Sequence, residues 1–292
     1  MHRLGALPEG SRTAAFVLVA VDSPANGLDA VAWAAAEAAA RQARLHILHV
    51  IPWNSFALTY VGPGDAGAHD AAQRLLDTAA ERARQVAPHV AVTTHIHTGE
   101  PSHSIAVEGD DADLIVLGRD ATCRPHQRWG RPVAVQVTAR SRRPVAVVGF
   151  TGTPVPGRGA GRVVAVMPSD HNPTAAWAVL GAAFNAAHRR GIGVTVLVDV
   201  PEANTPSIDD LLQQHVHVFV DVDLQRQPLT GPRGSLLTHA SRSAALVVFA
   251  VPESRVARWR SRSAIGRLLE NIPAPITFVH HRPSPLLVRR NS

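Results

Sequence analysis

Three groups of residues have the types and spacing to do chemistry. The first is Asp22, in "VDSPANG", at the end of the apolar run that begins at Phe16. A carboxylate at a strand end can accept hydrogen bonds from a ribose or an adenine edge. Asp, Ser and Asn in such a turn can equally cap the helix that follows. The second group fills "ADLIVLGRDATCRPHQRWGRPV", Ala112 to Val133. An apolar run closes there at Gly118, and the loop beyond it holds Arg119, Arg124, Arg128, Arg131 and His126. Glycine amides normally cradle phosphate at such a place. Here guanidinium groups, which bind phosphate bidentately and stay charged, stand in for most of them. The third group is His215 and His217 with Asp221 and Asp223, spaced to project from one face of a strand. That face offers either metal ligands or a solvent-facing polar edge. His95 and His97 form a weaker version of the same pattern. Cys123, beside Arg124, is a redox-sensing thiol or an incidental one.

Composition narrows the classes. All 29 basic residues are Arg, and the chain contains no Lys. A Walker-type phosphate lysine, a Schiff-base lysine and a lysine-dependent kinase site are therefore excluded. The formal charge is +6, with basic stretches at Arg119 to Arg143 and Arg255 to Arg290. Aromatic residues make up only 4% of the chain, too few to interleave these stretches as a single-strand stacking platform. A nucleic-acid role is the minor expectation. One Cys rules out an intramolecular disulfide framework. With no long apolar run and no hydrophobic leader in "MHRLGALPEGSR", the expected location is cytoplasmic.

The elements that must position these groups are written twice. "FVLVAVDSPANGLDAVAWAAAEAAARQARLHILHVIPW" from Phe16 is echoed near residue 162 by "RVVAVMPSDHNPTAAWAVLGAAFNAAHRRGIGVTVLVDVP". "ADLIVLG" is echoed by "AALVVFA", and "RRPVAVVGF" by "PAPITFVHH". Each copy alternates short apolar strands with helical patterns, as in a doubly wound α/β domain with a parallel sheet. Copy one predicts strands near 16–21, 45–50, 90–96, 113–117 and 145–149. Its helices are predicted near 27–43, 68–87, 101–109 and 131–140. The organisation expected is a domain over 1–150, a Gly/Pro-rich linker over 151–161 and a shortened domain over 162–292. In copy two the second helix reads as Ser207 to Gln214, and strict alternation from His215 to Leu224 predicts a strand.

Together, the strand-Asp-Ser-Pro turn, "AVAWAAAEAAA", "HILHVIP", "TGEPSHSI" and "ADLIVLG" resemble the universal stress protein family, in its tandem actinobacterial form. The resemblance implies two doubly wound domains of the flavodoxin-like, adenine-nucleotide α-hydrolase-like kind. It further implies a stress-response regulator that binds ATP, with Mg²⁺ arriving on the nucleotide. The alternative is a scaffold of the same fold that works through protein contacts. Carried over, the family's site falls on Ala20, Val21, Asp22, Val50, Leu117 and Gly118. Arg119, Arg124, Gly130, Arg131 and Val133 are candidates along the phosphate loop.

Ala121, Arg131 and Pro132 stand where that loop has its second Gly, third Gly and hydroxyl. The amide cradle is thereby weakened, because Ala resists positive φ and Pro lacks an N–H. Laying "VVAVM" on "LVAVD" puts Met167 at the position of Asp22. Ala250, Glu253, Ser263 and Ala264 then fall on the loop positions of copy two, which is expected to have lost its site. The fifth strands, Val145 to Val148 and Ile276 to Val279, are expected to pair the two halves or separate chains as a dimer. No Gly-x-Ser-x-Gly, His-Glu-x-x-His or Cys-x-x-Cys motif is present. Turnover beyond weak ATP hydrolysis is not expected.

Overall fold

The computed structural model describes residues 15–52, 64–119, 132–149, 161–168, 172–199, 206–229, 233–251 and 255–280. Copy one comprises β1 (Phe16–Ala20), α1 (Pro24–Arg41), β2 (Arg44–Pro52), α2 (Gly64–Val86), β3 (Val92–Gly99), α3 (Pro101–Glu108), β4 (Leu114–Gly118), α4 (Val133–Arg140) and β5 (Val145–Val148). Copy two comprises β6 (Val163–Val166), α5 (Pro173–Arg190), β7 (Val194–Asp199), α6 (Pro206–Val218), β8 (Leu224–Leu229), α7 (Arg233–Ser241), β9 (Leu246–Val251), α8 (Arg255–Asn271) and β10 (Ile276–His280). Pro at the first turn starts α1, α3 and α5, where its missing N–H costs nothing. A left-handed residue ends α1 and α5 alike: Gln42 at φ 55° and Gly191 at φ 62°.

The ten strands of the described residues form one sheet in the order β3-β2-β1-β4-β5-β10-β9-β6-β7-β8. Every pairing is parallel except β5 with β10, which runs antiparallel through Ile276–Val147, Thr277–Ala146 and Phe278–Val145. The fifth strands thus join the two copies within one chain, about a pseudo-twofold between them. Among the described strands the edges are β3 and β8. Helices cover both faces, so alternate residues of one strand enter different cores. Val17 and Val19 pack with Trp33, Ile47 and Phe184, while Phe16 and Leu18 pack with Leu48, Leu117 and Val147. This two-sided burial explains the continuous apolar runs in the sequence. Each fully buried aliphatic side chain contributes about 1.5–3 kcal/mol.

One predicted strand is a helix instead. His215 to Val218 belong to α6, and the strand after it begins only at Leu224. Ile208, Leu212 and His215 are all buried, at helical spacing along one face. His215 packs against Trp177 and Phe184 with ring centroids 4.3 and 5.4 Å away, and its Nδ1 lies 2.8 Å from the Leu211 carbonyl. His217 is exposed on another side of the helix, so the shared metal face read from the sequence does not exist. The linker expected over 151–161 lies, Gly161 apart, outside the described residues.

Charge also fastens the two copies. Glu37 of α1 is 1% exposed and receives Arg41 Nε at 2.7 Å, Arg190 at 2.5 Å and Arg189 at 3.4 Å. The two latter arginines come from α5. Burial pushes the Glu37 carboxyl upward, but Arg190, Arg41 and Arg189 outweigh it and hold the group below its ordinary value. Arg190 also lies over the Trp33 ring, 5.8 Å from its centroid.

Candidate functional site: a cleft at the strand ends of copy one

Within copy one the strand order is β3-β2-β1-β4-β5, and the direction of winding reverses between β1 and β4. Ligands of doubly wound sheets bind beyond the carboxyl ends of the strands at such a switch point. A cleft of about 310 Å³ lies there. Ala20, Val21 and Asp22 form one wall, His49, Val50 and Pro52 a second, and Leu117 and Gly118 a third. The N-terminal halves of three helices close it, through Gly27 of α1, Pro101 and Ile105 of α3, and Val133 and Ala134 of α4.

Local geometry sets the polarity of this cleft. The Val21 N–H donates to Leu48 O at 2.9 Å, which carries the pairing of β1 with β2 one residue past the strand. The next residue, Asp22, is exposed, and none of the hydrogen bonds among the described residues uses its carboxylate. The cap position of α1 belongs to Ser23, whose side chain makes no capping bond. Asp22 is therefore not the helix cap, and the capping alternative for it is removed. A Cβ on Gly27 would come 3.2 Å from Val21 Cβ, so this glycine lets the first turn of α1 settle against the strand end.

The three helix N-termini are not equivalent. Glu100 caps α3, accepting from Ser102 N at 3.1 Å and His103 N at 2.8 Å. Arg140 lies 3.1 Å from the same carboxylate. Partial burial pushes the Glu100 carboxyl upward, yet the Ser102 and His103 donors and the Arg140 charge bring it below the usual value. The amides of α3 are thus already committed to a carboxylate. By contrast, α1 has no side-chain cap, and neither does α4, which begins behind Pro132. Val133 and Ala134 open α4, and their N–H groups have no helical carbonyl to reach. Both residues line the cleft. Two helix N-termini without a side-chain cap thus turn positive dipole ends to one opening, where the amides of Val133 and Ala134 are the free donors among the described lining residues, and this favours an anion.

Of the eleven residues expected from the sequence, seven line this cleft: Ala20, Val21, Asp22, Val50, Leu117, Gly118 and Val133. Arg124, Gly130 and Arg131 lie outside the described residues, as do Cys123, His126 and Arg128. Arg119 departs from its expected place. It is buried, and its guanidinium donates to Ile272 O at 2.5 Å and Ala274 O at 3.2 Å, just beyond the C-terminus of α8. Burial lowers its pKa. Gly149 leaves the room it needs, since a Cβ there would meet Arg119 Nε at 3.2 Å. A strand-end arginine read as a phosphate ligand instead reaches into copy two.

His49 is the polar lining residue that sequence reasoning missed. Its Nδ1 lies 2.7 Å from Val21 O. With a proton on Nδ1 donated to that carbonyl, Nε2 remains for a ligand. The signal was a histidine interrupting the apolar run "HILHVIP" next to the strand end.

Copy two has a different strand end. Met167 N donates to Leu197 O at 3.0 Å, the same bond that Val21 makes to Leu48. Met167 is thus the counterpart of Val21, and Pro168, not Met167, stands where copy one has Asp22. The turn to α5 is three residues longer than the turn to α1. Ser263 and Ala264 lie well inside α8, which begins at Arg255. A separate cavity of about 380 Å³ in copy two lies on the sheet face between β6, β7, β8 and α7.

The continuous sheet, its switch-point cleft and its internal duplication define a tandem doubly wound α/β protein. Residues 16–149, which make up copy one, match the model of the universal stress protein family. Universal stress protein Rv3134c of Mycobacterium tuberculosis is 28% identical over 211 residues, which cover 71% of this chain and 74% of that one. Among solved structures, a universal stress protein of Archaeoglobus fulgidus superposes with a TM-score of 0.73 at 13% identity, over 92% of this chain and 97% of that one. A functionally unknown protein of Pseudomonas aeruginosa gives 0.59 at 15% identity, over 92% and 94%. At these identities the structural likeness concerns the fold. No helix among the described residues is long and apolar enough to cross a membrane.

Proposed function

We propose that the cleft of copy one binds an adenine nucleotide, with ATP and its attendant Mg²⁺ as the first candidate, and that occupancy sets the state of a stress-response regulator. The observation that carries this reading is the uncapped pair of helix N-termini, α1 and α4, facing one cleft while α3 is capped by its own Glu100. Phosphate oxygens would take the free amides of Val133 and Ala134. The unengaged Asp22 carboxylate would accept from ribose hydroxyls or the adenine amino group. The volume falls within the usual range for small-molecule sites, about 300–1,000 Å³. Among the described residues Asp22 is the only carboxylate lining the cleft, so Mg²⁺ would be held chiefly by the phosphates.

Titration of nucleotide-stripped protein with ATP tests the reading. One site per chain is expected. Asp22→Ala should weaken it about tenfold, the worth of one hydrogen bond to a charged group. A second reading, a scaffold without nucleotide, is favoured by Pro132 at the start of α4 and by the withdrawal of Arg119 from the loop. The absence of heat at millimolar ATP would decide for it.

A further inference from the structure

We propose that His95, His97 and Glu108 form a surface site for a divalent transition metal of the zinc type. The site lies outside the cleft, since none of the three lines it. Strand β3 is an edge among the described strands, and its register sets His95 beside Leu48 and His97 beside Val50. Leu48 and Val50 belong to the core that also holds Ile105 of α3. Two-residue spacing puts both imidazoles on that same face. The chain then turns at Gly99 and returns through α3, whose last residue is Glu108.

The three side chains meet there. One ligand atom from each lies within 4.8 Å of the others, and His97 Nδ1 is 3.4 Å from Glu108 Oε1. Zinc bonds of about 2.0–2.1 Å in a tetrahedral shell place neighbouring ligand atoms roughly 3.4 Å apart. The His97–Glu108 edge already has that length, and His95, being exposed, can close the remainder by side-chain rotation. Gly99 contributes by omission. A Cβ there would meet Ser104 Oγ at 2.7 Å and the His97 ring at 3.4 Å, so glycine gives the imidazole its place.

Donor chemistry selects the class of ion. Two imidazole nitrogens and one carboxylate suit zinc and its first-row neighbours, whereas calcium and magnesium prefer all-oxygen shells. Three protein ligands leave a fourth position for water. His46, on the same face, is not a ligand: its ring stacks on Phe16 at 4.4 Å. Burial and then Arg44 lower the His46 pKa, while Glu108 opposes them, which places the Glu108 charge within reach of that face. A plain His97–Glu108 ion pair, with the His95 ring tilted beside His97 at 6.4 Å, is the arrangement without a metal, and the His95→Ala variant below separates the two.

The experiment is calorimetric titration of tag-free, chelator-stripped full-length chain with ZnCl₂, without nucleotide. His95→Ala, Glu108→Gln and, as an off-site control, His89→Ala are titrated alongside. One site of micromolar affinity is expected, weakened about tenfold or more by His95→Ala and by Glu108→Gln and unchanged by His89→Ala. Zinc should raise Tm in the parent and in His89→Ala, and should raise it less or not at all in His95→Ala. No site tighter than about 100 µM, or a site indifferent to His95→Ala, would overturn the proposal.

Discussion

The strand ends of the two copies differ far more than their strands do. In copy one, β1 gives way to Val21, Asp22 and an uncapped helix four residues after the strand's last residue. In copy two, β6 gives way to Met167 and Pro168, and Asn172 caps α5 by accepting from Thr174 N at 3.0 Å and Ala175 N at 3.1 Å. The copy-one helix thus starts without a side-chain cap, while the copy-two helix has one. After the fourth strand the contrast recurs: α4 has eight residues, and α8 has seventeen. Beneath these ends the β-sheet cores are equivalent, and Val21 and Met167 are both buried. The comparison separates what a duplicated fold must keep from what only a ligand requires.

The largest expected effect breaks the junction between the copies. Glu37→Ala strands Arg190, whose side chain is 3% exposed, without its carboxylate. It should cost about 3–5 kcal/mol in denaturant unfolding. Because the Glu37 carboxyl is held below its ordinary value of 4.5, its contribution is present above about pH 4.5 and is lost as pH falls through the lowered value. Glu37→Gln should therefore lose less stability than the parent between neutral pH and about pH 3.5. An identical loss in both would remove this carboxylate from the account.

Arg119→Met should have a smaller effect, about 2–3 kcal/mol, since the variant keeps the stem but leaves the Ile272 and Ala274 carbonyls without their charged donor. If instead it weakened ATP binding with stability intact, the arginine would belong to the cleft after all. The smallest change sharpens the symmetry. Gln42 and Gly191 occupy the same left-handed cap position in the two copies, and only Gly adopts it without strain. Gln42→Gly should raise stability by about 0.5–1 kcal/mol, read as a higher denaturation midpoint.

The fold was legible because strands buried on both faces write unbroken apolar runs, and because the duplication writes them twice. Where the reading failed, a local pattern imitated another period. "HVHVFVDVD" alternates like a strand, yet Ile208, Leu212 and His215 form a buried helical face, with His215 against Trp177 and Phe184. The cleft's backbone walls followed from the repeat and the resemblance. Arg119 did not, because its partners at Ile272 and Ala274 are about 150 residues away in sequence. The place of Met167 was also lost, since the longer turn of copy two shifts the alignment and only the Met167–Leu197 hydrogen bond fixes it.

The antiparallel seam between β5 and β10 has a consequence in mass action. Where two separate chains share such a seam, dilution pulls them apart and a change in one chain appears in both. Here the partners are covalently one molecule, so the seam's strength does not vary with protein concentration. The second half can lose a ligand site while still serving as the first half's sheet partner. If the function proposed above holds, the chain has one binding site per covalent pair, and a titration of it should follow a simple hyperbola.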